Sequence, residues 1–351
     1  MSIPTPEHDA SGLGRLAIVS LSGDPSLRAE ADGDVREHLR AAQRAAKAVA
    51  TLVREGFRVV VIPAGEAQLN CELIREEEAA TKLPPSPLSE AAAAAQGVVG
   101  SRLEAALRNT LRQERLDREV ATIVTQVLVS GDDPAFDAPS RPVGPSLTAW
   151  RARELSRARG VHVLEEAGKG WRRVAAAPVP VECLGVRAIE ALLDANHIVL
   201  TSAGGGIPVA MDARGQLGGT ESLLDEARVA ALVANELAAE LLVLMSPTEQ
   251  TPAHAGQVNQ TNLEQSTRHE LRDLHAAGAF TDPALATRVE ATLEFLDAGG
   301  EQTILTVAQK LTAALAGRAG TRVTREVVSE RSTQQISLFG AKRDEQDPID
   351  P

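Results

Sequence analysis

Five short aliphatic runs constrain this chain most: 15–21 (RLAIVSL), 57–62 (FRVVVI), 120–129, 197–200 and 240–245 (ELLVLM). A strand with one wet face alternates apolar and polar residues, whereas a strand covered on both faces runs nearly continuously apolar. These segments therefore read as strands sandwiched between helices. Residues 34–55 carry Val35, Leu39, Ala42, Ala46, Val49 and Val53 at helical spacing and stop at Gly56, as an amphipathic helix does. Residues 90–113, 186–195 and 223–237 read as further helices. The alternation predicts an α/β fold with an open, mostly parallel sheet and ligands beyond the carboxyl ends of the strands.

One strand, 197–200, runs straight into Thr201-Ser202-Ala203-Gly204-Gly205-Gly206. A glycine loop in that position commonly cradles an anion with backbone N–H groups. The rhythm breaks over 130–181, a segment with many Pro and Gly residues, a short helix at 147–158 and the sequence EEAGKGWRR. It reads as a subdomain inserted into an α/β domain of residues 15–323. Residues 1–14 are expected to form a flexible leader and 324–351 a disordered tail.

A net charge of -12 argues against direct nucleic-acid or anionic-membrane binding, which takes clustered Lys and Arg. Aromatic content of 2% with no Tyr leaves little for base stacking. The two cysteines, Cys71 and Cys183, are expected to be small core residues rather than a disulfide. No run is long and apolar enough for a membrane span, so a cytoplasmic protein is expected. No metal-ligand spacing and no Ser-His-Asp or Cys-His arrangement is evident, and His197 reads as structural.

Several segments, in order, resemble the carbamate kinase family, which has the amino acid kinase fold. Thr125-Gln126-Val127 and Asp132-Asp133-Pro134-Ala135-Phe136 resemble its TQV…DDPAF, and Arg141-Pro142-Val143-Gly144-Pro145 its KPVGP. Glu166 to Val174 is similar to its DAGRGWRRV, and Gly204 to Val209 to its GGGIPV. Pro87-Leu88 and the stretch from Gln96 to Gly100 resemble its PL…SQGMIG. The resemblance implies a homodimer that moves a phosphoryl group between carbamoyl phosphate and ADP, with the insertion as a lid over the substrate.

The departures lie where charge matters. The family's GGNAL is Ser22-Gly23-Asp24-Pro25-Ser26 here, so Pro25 lacks a donor and Asp24 adds a negative charge. Its HGNGPQVG aligns with residues 63–70, with Glu66 at the would-be phosphate site. Its Asp-Lys-Asp aligns with Asp225-Glu226-Ala227, which keeps the organising Asp225 but turns the lysine into Glu226. Two further family lysines align with Arg153 and Arg288, the second across an insertion at 281–286. None of the five lysines of the chain falls at a family charge position.

Phosphoryl transfer relies on positioning and positive charge. A unit charge about 4 Å away is worth roughly 4 kcal/mol at an effective dielectric near 20, and each 1.4 kcal/mol is about tenfold in rate. Glu226 therefore predicts a carbamate kinase-like protein that has lost ordinary phosphotransfer and serves as a structural or regulatory partner. In the alternative, it is an active phosphotransferase in which Arg153 and Arg288 clamp phosphate and Asp225 organises catalysis. No cofactor is expected, with Mg-ATP/ADP required only by that alternative. Each candidate also has a plainer role: Gly23, Gly204, Gly205 and Gly206 as turn formers, Asp225 as a helix N-terminal carboxylate, the arginines as solvated charges. Finally, Gln335-Ile336-Ser337-Leu338-Phe339 resembles the peptide with which bacterial proteins dock into the DNA sliding clamp, which makes the tail a candidate protein-binding segment.

Overall fold

The computed structural model describes residues 14–27, 34–84, 86–166, 168 and 170–325. Most of the expected leader and tail, including Gln335 to Phe339, lies outside the described residues.

The chain begins β1 (Leu16–Ser20), α1 (Val35–Arg54), β2 (Arg58–Ile62), α2 (Glu66–Ala79), α3 (Leu88–Glu114), β3 (Glu119–Ile123) and β4 (Gln126–Val129). The lid follows as β5 (Arg141–Leu147), α4 (Ala149–Arg159), β6 (Val163–Glu166) and β7 (Gly170–Ala175). Next come β8 (Pro180–Cys183), α5 (Val186–Asp194), β9 (His197–Thr201), β10 (Ile207–Met211), β11 (Leu217–Gly219), α6 (Glu226–Glu236) and β12 (Leu241–Met245). The last part contains β13 (Thr251–Ala253), β14 (Thr261–Leu263), β15 (Gln265–Thr267), α7 (Arg268–Ala276), α8 (Pro283–Asp297), β16 (Gln302–Thr306), α9 (Leu311–Leu315) and β17 (Thr321–Thr324).

The main sheet has eight strands in the order β15-β17-β16-β12-β1-β2-β9-β3. The pairs from β16 to β3 are all parallel, with Val19 beside both Val243 and Val61, and only β16 and β17 pair antiparallel. The period-two geometry of a strand sorts the continuous apolar runs onto two faces. Leu16, Ile18, Val60, Ile62, Leu242 and Leu244 meet Ile189, Val229, Val233 and Phe295 from α5, α6 and α8. Ala17, Val19, Val59, Val61, Leu241 and Val243 meet Val49 and Leu52 of α1 and Leu103 and Leu107 of α3. Each such aliphatic, buried completely, stabilises the fold by roughly 1.5–3 kcal/mol. The α/β sandwich expected from the runs is the observed architecture.

Two elements differ from the sequence reading. The single strand expected over 120–129 is two, β3 in the main sheet and β4 in a second sheet of order β11-β10-β4-β8. The buried Gln96 makes the break: its Oε1 accepts from Thr125 N (3.0 Å) and its Nε2 donates to Thr125 O (3.1 Å). Thr125 O also accepts from Ile207 N of β10 (2.9 Å), so the chain passes from one sheet to the other at this residue. Residues 66–79, which include the expected second loop's Glu66 to Asn70, form α2, whose Leu69 and Leu73 pack under the lid with Leu88, Val143 and Leu223. Of the cysteines, Cys183 is buried and Cys71 partly exposed.

Candidate functional site

The site lies where β1, β2, β9 and β12 end. Beyond β9 the backbone turns through Ser202, a buried residue at φ 49°, and then Gly204, Gly205 and Gly206 at φ 72°, 92° and 89°. Left-handed φ disfavours any residue with a Cβ, which accounts for the glycines. Space demands them too, since a Cβ on Gly205 would stand 2.7 Å from Leu224 O. The turn uses its own donors: Gly204 N donates to Pro63 O (3.1 Å), Gly205 N to Ser202 O (2.9 Å) and Gly206 N to Ala203 O (3.4 Å).

Gly204 also abuts Gly65, three residues beyond the end of β2, so closely that a Cβ on Gly65 would lie 2.5 Å from Gly204 Cα. Into this corner comes Glu226. Its carboxylate Oε1 accepts from Gly65 N at 3.0 Å, and the residue is only 6% exposed. Burial pushes its carboxyl above the usual carboxylate range; Arg141 and the Gly65 N–H pull it back, and Asp225 and Glu66 add to the rise. Asp225 caps α6, its Oδ1 accepting from Ala227 N (2.9 Å) and Arg228 N (3.3 Å).

The first loop behaves differently from expectation. Asp24, read as a negative charge beside an anion site, is buried and fully engaged by backbone. Its Oδ1 accepts from Ser26 N (2.8 Å) and its Oδ2 from Ala308 N (2.7 Å), which ties the exit of β1 to the exit of β16. Gly23 faces the end of β12, where a side chain would run into the Met245 carbonyl and the Arg288 guanidinium. Arg288 is therefore at the first loop, with Nη1 donating to Ala284 O at 2.8 Å. Glu249, in the loop after β12, pairs with Lys310 at 3.3 Å.

Two cavities flank Glu226 and share both it and Glu66. The larger, enclosing about 670 Å³ with its open mouth, lies between α1 and α3 and is lined by Leu21, Leu27, Ala41, Ala45 and Leu103, with Arg102 and His38. The smaller, about 350 Å³, lies beside Gly204 and holds Arg141, Leu69 and Leu223. Arg141 Nη1 donates to Leu224 O (2.8 Å) and Arg102 Nη1 to Gln68 Oε1 (2.7 Å). Neither arginine was singled out as a site residue in the sequence. The signal for Arg141 was present, because it occupies the charged position of the RPVGP segment.

The lid is tied down at three points. Arg151 of α4 forks onto Glu77 of α2 at 2.5 and 3.1 Å. Gly144 N donates to Asn70 Oδ1 at 2.9 Å. Arg173 pairs with Glu221, whose other oxygen accepts from Leu88 N at 2.9 Å. Arg153 is exposed on α4 and, among the described residues, lines neither cavity at Glu226. The candidates thus separate: Gly204 to Gly206, Asp225 and Glu226 converge, Gly23 and Arg288 form a second group, and Arg153 stands apart.

Comparison with known proteins matches this framework. The model of the amino acid kinase family matches residues 15–306. Carbamate kinase of Thermococcus kodakarensis is 32% identical over 312 residues, which cover 88% of this chain and 99% of that protein. The carbamate kinase-like protein YahI of Escherichia coli is 30% identical over 311 residues, 88% of this chain and 98% of its own. Among solved structures, carbamate kinase from Giardia lamblia bound to AMP-PNP superposes with a TM-score of 0.84 at 28% identity, covering 89% of this chain and 99% of that one. Family model, relatives and superposition agree, and the chain belongs to the carbamate kinase family of the amino acid kinase fold.

Proposed function

We propose that this chain is a carbamate kinase family member that has given up ordinary transfer between carbamoyl phosphate and ADP and acts as a structural or regulatory partner. One observation carries the reading: the Glu226 carboxylate takes the Gly65 amide in the corner beside Gly204. That amide is a donor an incoming anion would otherwise find, and an acid there supplies none of the positive charge on which phosphoryl transfer relies. The framework itself is well fastened, with Arg151 on Glu77, Gly144 on Asn70 and Arg173 on Glu221. Titration calorimetry with ADP, ATP and Mg²⁺ tests it. The expected result is no saturable binding, together with no ATP formed from carbamoyl phosphate and ADP in a coupled assay; tight saturable nucleotide binding overturns the proposal.

A second reading keeps phosphotransfer and lets arginines supply the charge. What favours it is Arg288 beside the Gly23 loop and Arg141 beside Gly204. Turnover of carbamoyl phosphate and ADP that disappears in Arg288→Ala would decide for it. A third reading makes the chain a partner-binding protein recruited through Gln335 to Phe339, and homodimerisation is compatible with each of the three. Equal partner recovery by the full chain and by a chain ending at Thr324 removes the tail from it.

A further inference from the structure

Helix α4 of the lid reverses the charge of the rest of the chain. Its sequence AWRARELSRAR holds four arginines against one glutamate, in a protein of net charge -12. Ala152 and Leu155 turn inward, 1% and 8% exposed. Arg151 is held by Glu77 and Glu154. The outer face carries Trp150, Arg153 and Arg157 at i, i+3 and i+7, a spacing that sets them on one stripe of a helix. Trp150 is 72% exposed. Arg153 and Arg157 are exposed and, among the described residues, pair with no acid. Solvated arginines are ordinary, but Trp and Arg together are the side chains most enriched where proteins dock.

The complementary chemistry lies in the same chain. Residues 344–351, DEQDPIDP, hold four acids, no base and two prolines three apart. Prolines spaced in this way favour an extended left-handed helix that stacks on aromatic rings. The spacing agrees. Trp150 and Arg157 stand about 10 Å apart along a helix axis, and five residues from Asp344 to Pro348 span about 12 Å in the extended form. The reach agrees as well. Residues 326–351 lie outside the described residues, and a segment of that length extends to about 85 Å. A domain of this size is roughly 50 Å across.

We propose that the acidic segment Asp344 to Pro351 docks on the outer face of α4 of its own chain, with Pro348 and Ile349 on Trp150 and with Asp344 and Asp347 on Arg157 and Arg153. Tethering supplies an effective concentration on the order of 1 mM, so contacts too weak to hold a free peptide hold this one. Arg153 thereby gains a role as part of an anchor. The proposal does not depend on whether the cleft transfers phosphate, because Trp150, Arg153 and Arg157 line neither cavity at Glu226.

Acrylamide quenching of Trp150 fluorescence reads the contact. The chain has two tryptophans, and Trp150→Phe identifies the share of the emission that belongs to Trp171. In the full chain at low salt, Trp150 is expected to quench about twofold less readily than in a chain ending at Thr324 or at Lys342. About 1 M NaCl removes the difference, because exposed charges are then screened. Arg153→Glu with Arg157→Glu removes it too, and adding Asp344→Lys with Asp347→Lys restores it. Both arginines are exposed, so the reversal leaves the fold in place, which thermal melts check. Equal quenching in the full chain and in the chain ending at Thr324 overturns the proposal. So does shielding that survives both arginine reversals or disappears on dilution. Shielding retained by the chain ending at Lys342 overturns it as well, and assigns the contact to Gln335 to Phe339 instead.

Discussion

The two acidic residues beside the strand ends make an instructive pair. Asp24 and Glu226 are both buried, both sit in loops or helix starts aligned with phosphate-handling positions, and both accept from backbone amides. Asp24 has an amide on each oxygen, one local from Ser26 and one from Ala308, which joins two distant strand exits. Glu226 has one amide, from Gly65, and two cavities against it. Asp24, with backbone on both oxygens, fastens two strand exits, whereas Glu226 faces open space on the side of the site. The same residue class at equivalent places in the fold thus serves opposite ends, and partner count separates them.

The largest effect should come from the fastening. Asp24→Ala strands two amides in a buried loop and is expected to cost about 3 kcal/mol in urea unfolding; a loss below about 1 kcal/mol would mean that the tie to Ala308 is incidental. Next is Gly65→Ala. Its Cβ would press on Gly204 at 2.5 Å, so about 2 kcal/mol should be lost through overpacking, measured the same way. Unchanged stability there would show that the corner can open and that Glu226 is less confined than its geometry indicates.

The smallest effect has the opposite sign. Burial raises the Glu226 carboxyl above its ordinary 4.5, so its proton is held more tightly folded than unfolded. Its contribution is fully present below about pH 4.5 and is lost as pH rises through the raised folded value. Glu226→Gln removes that loss. Thermal melts should therefore show the variant more stable than the native chain at about pH 7, by less than Asp24→Ala destabilises, with the advantage gone below about pH 4.5. A Glu226→Gln chain that melts lower at neutral pH would place Glu226 with Asp24 among the fastenings, and the contrast would fail.

Much of the fold was legible from residues alone. The runs RLAIVSL, FRVVVI and ELLVLM stand as β1, β2 and β12, because a strand covered on both faces needs no polar alternation and so announces itself locally. The helix over 34–55 was legible down to its cap, since Asp34 accepts from Glu37 N at 2.8 Å. The break at Thr125 was not, because the group that makes it, Gln96, belongs to another element. The helix α2 was hidden by its narrow apolar strip, with Leu69 and Leu73 alone as fully buried apolar residues. Within the site, Glu226 beside Asp225 and Arg288 were singled out from the motifs, and the structure places Glu226 in the corner at Gly65 and Arg288 at the Gly23 loop. What Asp24 does could not.

Apolar periodicity belongs to the chain itself and determined the sandwich, while ordered motifs carried the resemblance to the family and the expectation that Glu226 stands where that family has a lysine. Which amide each carboxylate meets was decided by the tertiary structure. Glu226 and Gly65 lie 161 residues apart and Asp24 and Ala308 lie 284 apart. Strand order brings those exits together, and electrostatic worth depends on the distance and burial that only such closeness creates.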